Sequence, residues 1–582
     1  MSGQRDGAPT ATSSATEEAA PTPAGAGAQP EPSPPTAAAG RRRFRYTLPG
    51  AWVALAFACL AFTPSLLPRS ALLQGIVCGI NAAIGYGAGV AGAWAWRAFA
   101  DRDPRPVRPG AWRVFAISAV AALALALGLG QWWQAQLRDL MGAPAPNLLL
   151  LVLLPLVAAA LFTGLVALSR WLRGRYRWAA GRLARWMGPR AARALGWVAV
   201  VVVTWLVASG LLLNGLAALA DRGFSVRNGA TAEGVEPPTS GLRSGGPGSM
   251  VSWESLGRQG RTITGTGPTA AEIAAWSGSE AQEPIRAYTG TVSAEDVEER
   301  AELAVADLDR AGGFDRGYLL VATTTGSGWL DPGAIDAFEY LTGGDSAIVT
   351  MQYSYLPSWL SYLVDQKKAR EAGRQLFDAV YDRWSKLPTA ERPRLFVFGL
   401  SLGSFGGETA FSGEYDLRNR TAGALLAGPP NFNTLYREFT DHRDPETPEV
   451  EPVYKDGRTV RFTNDVAAGI PPAPPAPWDG SRVLYLQHPS DPIVWWSPRL
   501  AWDRPDWLAE PHGRDVLDAM VWLPVVTFWQ VTADLPLSTG VPDGHGHTYT
   551  REFVNGWATV LRTPGWTPDK AEQLQDIITT DE

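Results

Sequence analysis

The chain has 582 residues, a formal net charge of −6, 46% hydrophobic residues and two cysteines, Cys59 and Cys78. That length exceeds one ordinary domain, and two cysteines set in apolar segments exclude a disulfide framework or a thiol nucleophile in the second half. Residues 1–220 carry 20 Lys and Arg against 7 Asp and Glu, and the remainder 31 against 50, so the globular half would repel phosphate and no nucleic-acid partner is expected.

Residues 1–40 are mostly Ala, Pro, Gly, Ser and Thr. Such a composition cannot bury a core, and a disordered tail is expected. No apolar run lies near the N-terminus, so no cleavable signal peptide is expected. After the basic cluster Arg41-Arg42-Arg43-Phe44-Arg45 come five apolar stretches, near 47–67, 71–95, 112–133, 147–169 and 195–220. Each approaches or exceeds the roughly 20 residues that a helix needs to cross a bilayer. Pro49, Pro64 and Pro68 bracket the first of them.

Loop charge alternates. The second-to-third connection holds Arg97, Arg102, Arg105, Arg108 and Arg113, and 170–193 holds eight arginines and no acid. The other connections are close to neutral. Positive-inside bias then puts the N-terminus in the cytoplasm and, after five crossings, everything past residue 220 on the far side. The arginine-rich stretch reads as a topology anchor. Its Trp171, Trp178 and Trp186 also fit an amphipathic helix on an anionic leaflet.

Residues 221–247 read as a linker, and a globular pattern begins near 248. Strands are expected at 249–253, 284–288, 318–322, 347–353, 395–398, 422–426 and 482–486, and helices at 294–311, 359–387, 405–411 and 550–561. Apolar strands separated by helical stretches predict an α/β domain with a mostly parallel sheet. Its site would lie beyond the strand C-termini. The stretch 431–480 shows little periodicity and ends Pro-rich, which suggests a lid.

The chemistry gathers around Gly399-Leu400-Ser401-Leu402-Gly403. An apolar run of strand length precedes it and small residues follow, the pattern of a nucleophile elbow that lifts a serine clear of the sheet edge. A nucleophilic serine needs a base and a carboxylate to orient that base. Asp491, just past the 482–486 strand, is placed to be the orienting acid. The loop Pro542-Asp543-Gly544-His545-Gly546-His547-Thr548-Tyr549 offers two histidines; His547, nearer the next helix, leads as base and His545 is the alternative. His442, His488 and His512 read as surface or structural. The backbone N–H of Leu402 would face an oxyanion, with a second donor from the small-residue loop that holds Thr325 and Gly326. Trp495, Trp496, Trp502 and Trp507 fit core positions or the wall of an acyl pocket. No second cluster supports a metal reading of His-x-His, and neither a metal nor another cofactor is expected.

These motifs, with Thr63-Pro64-Ser65-Leu66-Leu67-Pro68-Arg69, Thr325-Gly326-Ser327-Gly328-Trp329 and His488-Pro489-Ser490-Asp491-Pro492-Ile493-Val494-Trp495-Trp496, resemble bacterial membrane-anchored α/β-hydrolase-like proteins. These have an N-terminal multi-helix membrane domain and a C-terminal hydrolase domain. The resemblance implies the α/β-hydrolase fold and a serine hydrolase-type Ser-His-Asp triad but brings no defined substrate; the membrane anchor suggests an ester or thioester of a lipid or cell-envelope component. Acyl transfer to another acceptor is a close variant. A catalytically silent scaffold or binding protein is the alternative from a different class. A transporter ranks last, because the apolar stretches carry almost no charge and no inverted repeat.

Overall fold

The computed structural model describes residues 46–103, 107–206, 227–356, 361, 366–466 and 476–580. The tail expected at 1–40 and the basic cluster 41–45 lie outside these residues.

Among the described residues, three helices are long and apolar enough to cross a membrane: α2 (Ala71–Phe99), α3 (Pro109–Met141) and α4 (Leu153–Leu183) with the turn that leads into it. Of the five expected crossings the first is corrected, and the fifth lies partly outside the described residues. The first stretch forms only α1 (Leu48–Leu60), 13 residues and about 20 Å long, short of a bilayer's roughly 30 Å. It starts beside the middle of α2, where Thr47 N donates to Tyr86 Oη at 3.1 Å. Its expected second half, 61–67, is not helical, and the prolines at 64 and 68 punctuate a turn instead. The fifth stretch begins as α5 (Pro189–Leu206), and its remainder lies outside the described residues. The arginine-rich segment is largely helix rather than loop, because α4 runs on to Leu183.

The second half is built on a seven-stranded, wholly parallel sheet. Its strands are β1 (Ile285–Thr289), β2 (Tyr318–Thr323), β3 (Ser346–Met351), β4 (Arg394–Leu400), β5 (Gly423–Ala427), β6 (Val460–Thr463) and β7 (Arg482–Leu486). They lie in the order β1-β3-β2-β4-β5-β7-β6. The central strands read as unbroken apolar runs because helices cover both faces. Along β2, Leu319 and Val321 enter one core and Leu320 and Ala322 the other. The first core is closed by α6 (Val297–Arg310), α8 (Gln366–Ser385) and α9 (Leu402–Glu408), the second by α7 (Pro332–Leu341) and α12 (Glu552–Leu561).

Two expectations shift. Residues 249–253 are not a strand, since Ser249 Oγ and Met250 N bind Asp307 and a 3-10 turn follows at Trp253–Leu256. The stretch read as irregular contains α10 (Thr434–Asp441) and the edge strand β6; 467–475 lie outside the described residues. Within the expected linker, Ser244 N donates to Arg286 O at 2.9 Å, so this part is packed along β1.

The two halves share a built junction. In the Thr63–Arg69 turn, Ser65 Oγ donates to Asp534 Oδ2, Leu66 N to the same oxygen at 3.2 Å, and Arg69 Nε to Asp534 Oδ1 at 2.8 Å. Asp534 ends α11 (Val526–Asp534), whose Gln530 donates to Thr63 O at 2.8 Å. Leu66 and Leu67 are fully buried in the first core with Leu137 and Met141 of α3.

Candidate active site

β4 ends at Leu400 and α9 begins at Leu402, which leaves Ser401 alone on the turn with φ +57° and ψ −125°. A non-glycine residue rarely adopts that conformation, and holding it costs on the order of 1–3 kcal/mol. The surroundings enforce it. Ser401 N donates to Ala427 O at 2.9 Å, and Ser404 Oγ donates to Ser401 O at 2.7 Å. A Cβ at Gly399 would strike the backbone of Gly403, and one at Gly403 would strike Thr323 O, so only glycine fits either side of the turn.

Asp491 follows β7 and caps a short helix, Pro492–Trp495, by accepting from Ile493 N at 2.8 Å through Oδ1. Its other oxygen faces the late loop. His547 Nδ1 lies 2.6 Å from Asp491 Oδ2, and Tyr549 Oη donates to the same oxygen at 2.8 Å. A buried imidazole beside a carboxylate donates its Nδ1 proton, which leaves Nε2 as acceptor. His547 Nε2 is buried with no hydrogen-bond partner among the described residues. The ring lies against Gly428, where a Cβ would strike Cε1 and come within 2.6 Å of Nδ1. Gly428 directly follows Ala427, the residue that anchors Ser401 N.

His545 turns elsewhere. Its Nδ1 lies 3.0 Å from Asp515 Oδ2, which also accepts from Ser490 Oγ at 2.5 Å, and that hydroxyl accepts from Gly546 N at 2.9 Å. Burial would raise the Asp515 pKa, but the bonds from His545 and Ser490 hold it below the usual carboxylate value. This cluster braces the loop just before His547.

His488 is not at the surface. It is fully buried, with Nδ1 donating to Gly546 O at 2.8 Å and Nε2 to Glu552 Oε2 at 2.8 Å. Its ring stacks on Tyr549 with centroids 4.0 Å apart. Burial alone would lower the pKa, but the Glu552 carboxylate outweighs it and pushes His488 up to about 9. The folded state therefore holds this proton more tightly than an unfolded chain, whose histidines titrate near 6.5. The pair's contribution is complete below pH 6.5 and is lost as pH rises through 9. Thermal unfolding in detergent across that window is expected to show a decline of up to roughly 3 kcal/mol, with a flatter profile in His488→Gln. Two buried carboxylates, Glu408 and Glu449, are each pushed by burial up to about 7, so their contributions fade earlier, between about pH 4.5 and 7.

Glu408 closes the elbow helix. It accepts from Asn433 Nδ2 at 2.9 Å, Tyr485 Oη at 3.0 Å and Leu435 N at 3.1 Å, which ties the end of α9 to the start of α10. Near the proposed oxyanion position, Leu402 N begins α9, and Thr325 N already donates to Trp329 O at 3.0 Å. Gly326 packs closely against Leu356 O and Ser361. Trp495 and Trp507 are buried core residues, Trp496 is half-buried and Trp502 is exposed. His442 is exposed, and His512 is half-buried with Nδ1 3.2 Å from Leu517 O.

The structure thus brings His547 and Asp491 together, sets Ser401 on the adjacent turn, and keeps His545 on a carboxylate of its own. Tyr549, Glu552 and Asp515 went unassigned in the sequence reading. A tyrosine two residues past a candidate base was the one available signal.

A family model described as the α/β-hydrolase family matches residues 285–574, and one described as the N-terminus of that family matches residues 62–268. No match was found among curated proteins or among solved structures. The two family models together span both halves of the chain, which belongs to the α/β-hydrolase family.

Proposed function

We propose that this protein is a membrane-anchored serine hydrolase that cleaves ester or thioester bonds of lipid or cell-envelope components. Ser401 is the nucleophile, His547 the base and Asp491 the orienting carboxylate. The observation that carries this reading is the 2.6 Å His547–Asp491 contact, with Nε2 left unpartnered beside the turn that holds Ser401.

Ser401 Oγ attacks the acyl carbon and its proton passes to His547 Nε2. The imidazolium is held by Asp491, which Tyr549 Oη and Ile493 N keep in place. The Leu402 N–H faces the oxyanion, with Gly326 as the partner donor because Thr325 N is engaged by Trp329. His547 then protonates the leaving alcohol or thiol, and a second nucleophile releases the acyl group. Ser401 is 5% and His547 8% exposed. A close variant is acyl transfer, in which an alcohol of the envelope rather than water accepts the acyl group.

The hydrolase half meets the α1–α2 turn and the end of α3, whereas the arginine-rich segments lie at the opposite ends of the helices. This arrangement supports a reading in which, by positive-inside bias, the arginine-rich helix ends face the cytoplasm and the hydrolase half lies on the far side.

A fluorophosphonate probe applied to membranes tests the chemistry. The expected result is one adduct, mapped by mass spectrometry to the peptide carrying Ser401 and absent in Ser401→Ala. A folded wild type that takes up no probe, or takes it up at another residue, would favour a silent scaffold.

A further inference from the structure

We infer that a cavity at the junction of the two halves is a binding site for the phosphate-bearing head group of an anionic membrane lipid. The cavity has a volume of about 250 Å³ and lies between the start of α2, the end of α3, the turn into α4 and residues 540–541 of the hydrolase half. None of the triad residues lines it, and the inference does not depend on the catalytic reading.

The lining is cationic without being neutralised. Arg69 and Arg138 both line the cavity and are 4% and 9% exposed. Arg69 is paired with Asp534, yet its Nη2 is buried with no hydrogen-bond partner among the described residues. Arg138 donates to Arg69 O at 3.0 Å and to Gln134 O at 3.0 Å, and makes no ion pair among those residues. Its neighbour Asp139 is exposed. Of the two guanidinium groups only Arg69 meets a carboxylate, which leaves Arg138 as an excess positive charge in a site closed by apolar helices. A buried charge in such a place is costly unless an anion completes it. The N-terminus of the 29-residue α2, with Ser70 and Ala71 on the cavity wall, adds positive potential to the same space.

The rest of the wall identifies the source of the anion. Leu150, Leu151 and Leu154 line the cavity, and the neighbouring Leu149 and Val152 are 84% and 62% exposed, so an apolar surface continues outward from it. A free phosphate would use only the arginines. A lipid would also lay its chains along that surface, and guanidinium groups with amide donors suit a phosphodiester. The far wall is Gly540 and Val541, in the segment that leads to Ser538 O, the acceptor of His547 N at 2.7 Å. An occupant would therefore rest against the loop that carries His547.

Native mass spectrometry of the full-length protein in mild detergent tests this, with dioleoyl phosphatidylglycerol, dioleoyl phosphatidylcholine and inorganic phosphate as probes. Phosphatidylglycerol is expected to be retained about tenfold better than phosphatidylcholine, a preference lost in Arg138→Gln. Gln131→Glu is the second variant. It adds an anion to the cavity wall, and the Gln131 side chain makes no hydrogen bond among the described residues, so a normal melting profile with lost retention supports the site even if Arg138→Gln does not fold. Equal retention of the two lipids, or a preference unchanged in Gln131→Glu, would overturn the proposal. Displacement of the lipid by inorganic phosphate at equal concentration would overturn the assignment to a lipid.

Discussion

His547→Ala is expected to lower the rate of fluorophosphonate labelling by about a thousand- to ten-thousand-fold, whereas His545→Ala should cost no more than about tenfold. The difference follows from geometry. Both histidines sit beside glycines in one loop, but only His547 reaches Asp491, at 2.6 Å, and only its Nε2 is left buried and unpartnered. His545 spends its Nδ1 on Asp515, and losing it loosens the loop without removing the proton acceptor. Labelling rates on membranes, with the amount of folded protein fixed by immunoblot, separate the two. Equal losses in both variants would point to loop collapse rather than to a base, and a loss confined to His545→Ala would reverse the roles.

Asp534→Ala should be the most damaging substitution outside the triad, at about 3–5 kcal/mol, because it strips a buried guanidinium of its counter-charge. Asp534 accepts from Ser65 Oγ, Leu66 N and Arg69 Nε at once, and both Asp534 and Arg69 are almost wholly buried. Thermal unfolding in detergent would register the loss. The double variant Arg69→Met, Asp534→Leu should unfold at a higher temperature than Asp534→Ala, since no charge is then left alone. If Asp534→Ala melts like the wild type, the junction contributes little and the halves are held by their apolar contacts.

The parts of the fold that sequence reading captured share one physical signature. Strands such as β2 and β4 sit inside a parallel sheet, are buried on both faces and so show as unbroken apolar runs. The elbow was legible because its glycines answer to close backbone contacts that no other residue could make. β6 was missed because it is a four-residue edge strand, Val460–Thr463, whose Arg461 is only half-buried. α11 was missed for a different reason. Its buried face mixes Val526 and Val531 with Thr527, Gln530 and Asp534, so polar side chains interrupt the apolar pattern at helical spacing. Gln530 and Asp534 face the 63–69 turn, and their purpose is invisible until the two distant segments meet. The choice between His545 and His547 was open in the sequence because Asp515 belongs to no motif. The first apolar stretch was read as longer than its helix because hydropathy does not distinguish lipid from a buried turn.

The Thr63–Arg69 junction also fixes where the proposed site can work. A catalytic domain on a flexible leash sweeps a hemisphere and meets soluble and bilayer substrates alike. Here the anchor is wedged into the hydrolase core through Leu66 and Leu67, and a Cβ added at Gly546, beside His547, would lie 3.4 Å from Leu67. Under the proposed function the scissile bond must therefore be presented at one set height and angle, so selectivity begins with how a molecule sits before any pocket has touched it.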